Sequence, residues 1–93
     1  MSAIKVVRAT AEKLRQLGVE GWSPWECAPE TFDWEYSSDE TAYVKEGRVR
    51  VRTEHGQEVE FGAGDLVFFP RGLKCTWTVV ETIRKVYVFD KPL

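Results

Sequence analysis

Short strand-like segments, separated by turn residues, occupy most of this chain. The clearest is Phe32–Tyr36, where rings and carboxylates alternate with a period of two, as side chains on opposite faces of a strand do. Glycine- and proline-containing turns separate the segments that follow. The predicted strands are 4–7, 32–36, 40–45, 48–53, 59–61, 66–69, 75–80 and 83–89. About eight short strands at this spacing are typical of an all-β sandwich or barrel.

One short helix is predicted near the N-terminus. Thr10 is a good N-cap, residues 11–17 follow it, and Gly18 can end the helix in a left-handed conformation. A helix of about two turns is stable only when packed against other elements. Pro24 and Pro29 then exclude a helix and a central strand.

The composition fits a single domain spanning residues 1–93. With 43% apolar residues and four Trp, the chain can form a core without disulfides or metals. The net charge is −2, and the densest basic stretch is Arg48, Arg50 and Arg52, which alternate along one predicted strand. Alternation places these three on one face, which we interpret as a solvated outer face. Nucleic acid is therefore not an expected partner.

Two cysteines and the N-terminal residues bear on the cellular location. The N-terminal sequence MSAIKVVRAT lacks a signal-peptide pattern, and no run approaches the roughly 18 apolar residues of a membrane span. We therefore expect a cytoplasmic protein without membrane contact, with Cys27 and Cys75 reduced. The one histidine, His55, lies at a predicted hairpin tip and is interpreted as exposed and without function.

Two segments carry more specific spacings. In the first, ETAYVKEG, six residues separate Glu40 from Gly47. The second, GAGDLVFFPRGLKC, places its turn residues and one cysteine at fixed intervals: Gly64, Pro70, Gly72 and Cys75. These spacings resemble the two motifs of the cupin superfamily, with motif one at about 32–47 and motif two at about 64–79. The strings FDWEY, ETAYVKEG, GDLVFFPRGLKCTW and IRKVYVF more closely resemble the small single-domain cupins grouped with (S)-ureidoglycine aminohydrolase.

The resemblance implies a jelly-roll-like antiparallel β-barrel with its site in the barrel mouth. Metal-binding cupins hold their ion with two His and a Glu from motif one and a His from motif two. Here Glu40 matches the motif-one Glu, whereas Cys75 stands at the motif-two His position. The remaining pair falls either on Asp33 and Glu35 or on Trp34 and Tyr36.

None of these positions holds a histidine, so the classical metal site is not expected. No cofactor is therefore expected. Should a divalent metal bind, the resemblance implies Glu40 and Cys75 as ligands, with Asp33 or Glu35.

Glu40 is the best candidate for a catalytic or anchoring residue, because buried carboxylates are rare without a function or a partner. The candidate pocket walls are Trp34, Tyr36, Cys75, Trp77 and Tyr87. Alternatively, these rings simply fill the barrel. Cys75 is either a nucleophile or ligand, or a small buried apolar side chain.

Three functional hypotheses follow, and whether the chain is an enzyme stays open among them. The first is a cupin that binds an unknown small molecule in its barrel mouth without classical metal chemistry. The second, implied by the resemblance, is a metal-assisted aminohydrolase that releases ammonia from a ureido amine. The third is a non-catalytic interaction or structural module. A homodimer is expected, with the N-terminal strand and the Trp22–Trp25 segment as candidate contacts.

Overall fold

The computed structural model describes residues 4–91, and strands make up most of it. The elements in chain order are β1 (Lys5–Arg8), α1 (Ala11–Leu17), a 3-10 turn (Val19–Gly21), β2 (Ser23–Cys27), β3 (Thr31–Glu35), β4 (Glu40–Thr53), β5 (Glu58–Gly62), β6 (Asp65–Phe69) and β7 (Lys74–Phe89). Every strand pair is antiparallel. The predicted all-β class with one short helix is confirmed.

Two long strands, β4 and β7, pair with each other along most of their length and organise the barrel. The first part of β4 also pairs with β6, and its second part pairs with β5. In the same way, β7 pairs with β3 at its start and with β2 at its end. Each long strand therefore belongs to two layers, with the strand orders β1-β6-β4-β7-β2 and β5-β4-β7-β3. The two layers enclose a core of aromatic and β-branched side chains.

A bulge at Gly47 bends β4 between its two parts. The pairing register with β7 shifts between Val44 and Val49, and Gly47 has a φ of 99°. A Cβ at this position would lie 2.7 Å from the Cα of Ile83 and 2.8 Å from the carbonyl carbon of Thr82. Only glycine fits both the conformation and the space.

The predicted turn at 46–47, between separate strands 40–45 and 48–53, was therefore wrong. Pairing continues across the bulge and makes one strand of 40–53. The predicted strands 75–80 and 83–89 likewise form the single strand β7. A bulge keeps a strand hydrogen-bonded while bending it, so a glycine in a strand-like sequence need not end the strand.

The strand β2 was not predicted, because Pro24 lies inside it. Residues 23–27 pair with residues 83–87 of β7, and β2 is at the edge of its layer. Proline lacks the N–H that a second neighbouring strand would need, so an edge position tolerates it. This strand carries Trp25, which has a role in the site.

The predicted helix is confirmed at both ends. The Thr10 side chain accepts a hydrogen bond from the Lys13 N–H at 3.1 Å, and Gly18 ends the helix with a φ of 71°. The helix packs on the outer face of the first layer through a second apolar cluster, whose buried members are Leu17, Val19, Trp22, Leu66 and Val86. Among the described residues, neither helical segment is long and apolar enough to cross a membrane.

The predicted outer face of arginines is exposed, and acidic partners from β5 lie beside it. Arg48 and Arg50 lie 3.5 and 3.6 Å from the carboxylate of Glu60, and Arg52 lies 2.8 Å from that of Glu58. Exposed pairs of this kind contribute little stability. They offset part of the arginine charge, because two glutamates face three arginines. The interpretation as a solvated outer face is confirmed.

Candidate ligand-binding site

A cavity of about 310 Å³ lies where β2, β3, β4 and β7 meet. Seven aromatic side chains, one glutamate and one lysine line it: Trp25, Phe32, Trp34, Tyr36, Glu40, Trp77, Lys85, Tyr87 and Phe89. Trp34 and Phe89 are each 52% exposed and form its rim. Glu40 and Lys85 are 6% and 7% exposed and form its base. The cavity is thus apolar along its walls and polar at its floor.

Strand periodicity explains why these side chains converge. Phe32, Trp34 and Tyr36 alternate along β3 and the residue after it, so they share one face. Lys85, Tyr87 and Phe89 alternate in the same way at the end of β7. The edge strand β2 adds its own wall, since Trp25 pairs directly with Lys85.

Glu40 and Lys85 form a buried ion pair at the base of the cavity. The Lys85 Nζ donates to the Glu40 Oε2 at 2.6 Å. Moving two charges out of water costs several kcal/mol for each ion, and close pairing offsets much of that cost. Burial lowers the pKa of Lys85 below its ordinary value, although the neighbouring carboxylate acts in the opposite direction.

Aromatic rings surround the Lys85 ammonium. Its Nζ lies 5.0 Å from the ring centroids of both Trp25 and Trp77, and 5.5 Å from that of Tyr87. Phe69, in the core beneath, is 5.9 Å away. Ring faces attract cations, and the attraction grows when water is excluded. The chain's own lysine therefore occupies an aromatic cage.

Tyr36 and Trp77 fix the inner wall. The Trp77 Nε1–H donates to the Tyr36 hydroxyl at 3.2 Å, and the Tyr36 ring stacks on Phe69 with centroids 4.7 Å apart. Burial, with a smaller contribution from the Glu40 charge, raises the pKa of Tyr36 above its ordinary value. The Tyr36 hydroxyl therefore stays protonated and can donate a hydrogen bond.

Cys75 was predicted to line this pocket, but the structure does not bring it there. Its side chain is buried in the core, and the Sγ–H donates to the Trp34 carbonyl oxygen at 3.7 Å. Cys75 borders a different groove, which Asp33 and Glu35 also border. Burial, and then the charge of Asp33, raise the pKa of Cys75 to about 11. At neutral pH the thiol is therefore protonated and a weak nucleophile.

The four residues predicted as ligands in case a divalent metal binds do not come together in the structure. They are Glu40, Cys75, Asp33 and Glu35. Glu40 lies in the cavity and is paired with Lys85, whereas the other three candidates border the separate groove. The Asp33 carboxylate accepts a hydrogen bond from the Thr76 hydroxyl at 2.9 Å and is exposed. Across residues 4–91, no three His, Cys, Asp or Glu side chains could hold a metal ion together. These residues therefore do not fit the metal site of metal-binding cupins.

The prediction omitted four cavity residues: Trp25, Phe32, Lys85 and Phe89. Phe32 could have been included, because it shares the alternation of Trp34 and Tyr36. The inward orientation of Lys85 could also have been predicted, because Lys85 alternates with Ile83 and Tyr87 on the inward face of its strand. Trp25 could not be placed, because its strand was not predicted.

Comparisons with family models and with curated proteins both match this chain to EutQ-type proteins. The family model for the EutQ-like cupin domain matches residues 14–87. Acetate kinase EutQ of Clostridioides difficile (strain 630) is 36% identical over 58 residues, which cover 62% of this chain and 36% of that protein. Acetate kinase EutQ of Escherichia coli (strain K12) is 35% identical over 68 residues, or 73% of this chain and 28% of that protein. The chain thus spans about a third of the length of these curated relatives.

The structural comparison extends over nearly the whole chain. A DUF861 family protein from Thermotoga maritima has a TM-score of 0.92 and 46% sequence identity, covering 94% of this chain and 99% of that one. Together with the family match, this likeness confirms the predicted cupin fold. The closer resemblance to the (S)-ureidoglycine aminohydrolase group is not confirmed by these comparisons.

Proposed function

Because the chain belongs to the EutQ-like cupin domain family, we propose that it binds a small molecule in the aromatic cavity of its barrel. The ligand is compact and neutral, with a planar apolar part and one polar group. The buried Glu40–Lys85 pair at the base of the cavity carries this proposal. A few convergent polar groups in an apolar cavity are the usual features of a small-molecule site.

The charge of the cavity supports a neutral ligand. Among the described residues that line it, Glu40 and Lys85 are the charged ones, and their charges cancel. A ligand anion would compete with Glu40 for Lys85, and a ligand cation would compete with Lys85 for Glu40. Either would leave a buried charge poorly paired, which is costly. A neutral polar group can accept from Lys85 or donate to Glu40 while the pair remains.

The size and walls of the cavity support a compact, planar molecule. Its volume of about 310 Å³ is at the lower end of the roughly 300–1,000 Å³ found for ligand sites. The rings of Trp34 and Phe89 at the rim leave room for an entering molecule to stack. A barrel without a cavity would favour a purely structural module, so the cavity favours binding.

Two other activities lack comparable support. The metal-assisted aminohydrolase is not supported, because neither the comparisons nor the ligand positions within residues 4–91 favour it. Acetate kinase, the name of the two curated relatives, involves phosphate groups that carry several negative charges. Among the described residues that line the cavity, the cation is Lys85. Because Lys85 is already paired with Glu40, it is a poor partner for a phosphate group.

Thermal-shift measurements with four probes test the proposal. Benzyl alcohol and benzamide are neutral, whereas benzoate and benzylammonium are of similar size and charged. We expect the neutral probes to raise the unfolding temperature through mass action and the charged ones to have little effect. Equal shifts from charged and neutral probes would contradict the proposal.

Variants of the protein test whether the shift in unfolding temperature arises from binding in the cavity. Glu40→Gln removes one anchor, and Trp34→Ala removes a rim wall without opening the core, so each should weaken the benzyl alcohol shift. Glu81→Gln, an exposed position on β7 outside the cavity, is the matched control and should respond like the wild type. An undiminished shift in both cavity variants would show that the probe binds elsewhere.

A further inference from the structure

Lys85 differs from the other described lysines in its position. Its amine lies at the base of the cavity, where a bound molecule would meet it, and its side chain is 7% exposed. The remaining lysines within residues 4–91 are exposed or half-buried: Lys5, Lys13, Lys45, Lys74 and Lys91. A buried amine beside a carboxylate in an apolar cavity is the arrangement in which lysine acts as a nucleophile.

We infer that Lys85 forms an imine with an aldehyde or ketone bound in the cavity. The inference rests on the proposed function, because the carbonyl compound must first occupy the cavity. A carbonyl compound is neutral, as the charge balance of the cavity favours. Its oxygen can first accept a hydrogen bond from the Lys85 amine. The nitrogen of that amine then bonds to the carbonyl carbon.

Glu40 is placed to take the proton that Lys85 must lose. The Oε2 and Nζ atoms are 2.6 Å apart, so a proton moves within an existing hydrogen bond. Once a ligand fills the cavity and excludes water from the pair, a neutral amine beside a neutral acid needs less solvation than two ions do. Burial also lowers the pKa of Lys85, which favours the reactive free amine.

The atoms and charges of the step balance within the pair. Lys85 passes one proton to Glu40, and the free amine attacks the carbonyl carbon to form a C–N bond. A proton moves from nitrogen to oxygen and gives a neutral carbinolamine. Glu40 then returns its proton to the hydroxyl group, the C–O bond breaks, and water leaves. The product is a protonated imine beside the Glu40 carboxylate, so the step needs no further reactant.

The rings around Lys85 suit this product. The protonated imine carries the same single positive charge as the ammonium and stays within reach of the same ring faces, those of Trp25, Trp77 and Tyr87. The carbon side of the imine points into the apolar part of the cavity. The expected class of reactant is therefore a compact aldehyde or ketone with an apolar or aromatic substituent.

Reductive trapping tests the inference on the full chain. The protein is incubated with benzaldehyde and sodium cyanoborohydride at neutral pH, and the modified lysines are mapped by peptide mass spectrometry. We expect Lys85 to be labelled at least about tenfold faster than Lys45 or Lys74, since an ordinary lysine is almost fully protonated at this pH. Equal rates at Lys85 and Lys74 would overturn the inference.

Variants separate the chemistry from the packing. Lys85→Arg keeps a cation beside Glu40 but cannot form an imine, so labelling inside the cavity should disappear. Glu40→Gln keeps the amine but removes the acid that protonates the carbinolamine hydroxyl, so labelling of Lys85 should slow even though loss of the carboxylate lowers the pKa of the amine. Lys74→Arg, an exposed change on the same strand, should leave the labelling rate of Lys85 unchanged.

Protection by benzyl alcohol keeps the test decisive even if a cavity variant fails to fold. Saturating benzyl alcohol should slow labelling of Lys85 in the wild type and leave Lys74 unaffected. If benzyl alcohol stabilises the protein but does not slow labelling of Lys85, the carbonyl compound does not react from within the cavity, and the inference is overturned. If benzyl alcohol stabilises the protein while Lys85 reacts no faster than Lys74, the proposed function stands without the imine. No stabilisation by benzyl alcohol would instead contradict the proposed function.

Discussion

The Lys85 ammonium and the Glu40 carboxylate meet at 2.6 Å in the floor of the cavity, and both are more than nine-tenths buried. By the resemblance of its motif, Glu40 matches the position at which metal-binding cupins have a carboxylate ligand. Here the Lys85 ammonium, from β7, forms an ion pair with that carboxylate. The site therefore retains a charged floor within a cupin barrel, with a proton-carrying group as its positive partner.

Removing one member of this pair should destabilise the chain strongly. For Glu40→Gln or Lys85→Met alone, we expect the free energy of unfolding to fall by about 3–5 kcal/mol, because an uncompensated buried charge remains. The double variant should lose much less than the sum of the two. Urea unfolding of all four proteins measures the coupling.

The exposed pair of Arg52 and Glu58 serves as the control for this comparison of single and double variants. Their side chains are 69% and 66% exposed, so water screens their interaction. Removing either one should change the unfolding free energy little. Additive losses for the Glu40 and Lys85 variants would show that the pair is not energetically coupled.

Gly47→Ala should destabilise the chain more than Gly56→Ala. Both glycines have positive φ angles, 99° and 87°, so both substitutions strain the backbone, at a cost of about 1–3 kcal/mol. Only at Gly47 would the new Cβ also meet the β7 backbone, 2.7 Å from the Cα of Ile83. Denaturant unfolding of the two variants should show the larger loss at Gly47, and equal losses would contradict the steric argument.

Trp34 and Trp77 should separate binding from stability. Trp77 is 2% exposed, so Trp77→Ala should lower the free energy of unfolding by about 3–5 kcal/mol. Trp34 is 52% exposed at the rim, so Trp34→Ala should have a far smaller effect on stability yet weaken binding of benzyl alcohol. Urea unfolding and calorimetric titration measure the two quantities. A Trp34→Ala variant as destabilised as Trp77→Ala would argue against a rim position.

Cys75 should make the folded state less stable at alkaline pH. Its pKa is raised from 9.0 to about 11, so the folded chain keeps a proton that the unfolded chain loses above about pH 9. The contribution of Cys75 is fully present below pH 9 and is lost as the pH rises through 11. Tyr36, whose pKa is also raised, adds to the loss, whereas Lys85 acts in the opposite direction.

The Cys75→Ala variant isolates this contribution. Unfolding free energies of the wild type and the variant are compared across pH 8 to 11. We expect the stability of the wild type to fall more steeply, because the variant lacks the titrating thiol. Parallel curves would indicate that Cys75 has the same pKa in both states.

The sequence predicted the barrel because its turn residues and alternation are local properties. The convergence of Trp34, Tyr36, Trp77 and Tyr87 followed from the same alternation. Alternation identifies the face of a strand but not the height along the barrel. Cys75 faces inward as Trp77 does, yet it lies beyond Trp77 at the far end of β7, away from Lys85.

Two further differences have physical causes. Lysines are usually solvated, so Lys85 was not considered for an inward face although its strand pattern put it there. The strand β2 was missed because a proline excludes a central strand but not an edge strand. The position of β2 is decided by long-range pairing with β7, which no local pattern contains.

The edge position of β2 links access to the site with the chemistry of its amine. β2 is held along one side only, by β7, and its Trp25 covers the Lys85 ammonium. Thermal fraying of this strand would both widen the entrance and let water reach the amine. Hydration favours the ammonium over the free amine, whereas closure of the strand favours the free amine. Because β2 has a neighbouring strand on one side only, its fraying would couple the exchange of ligand to the protonation of Lys85.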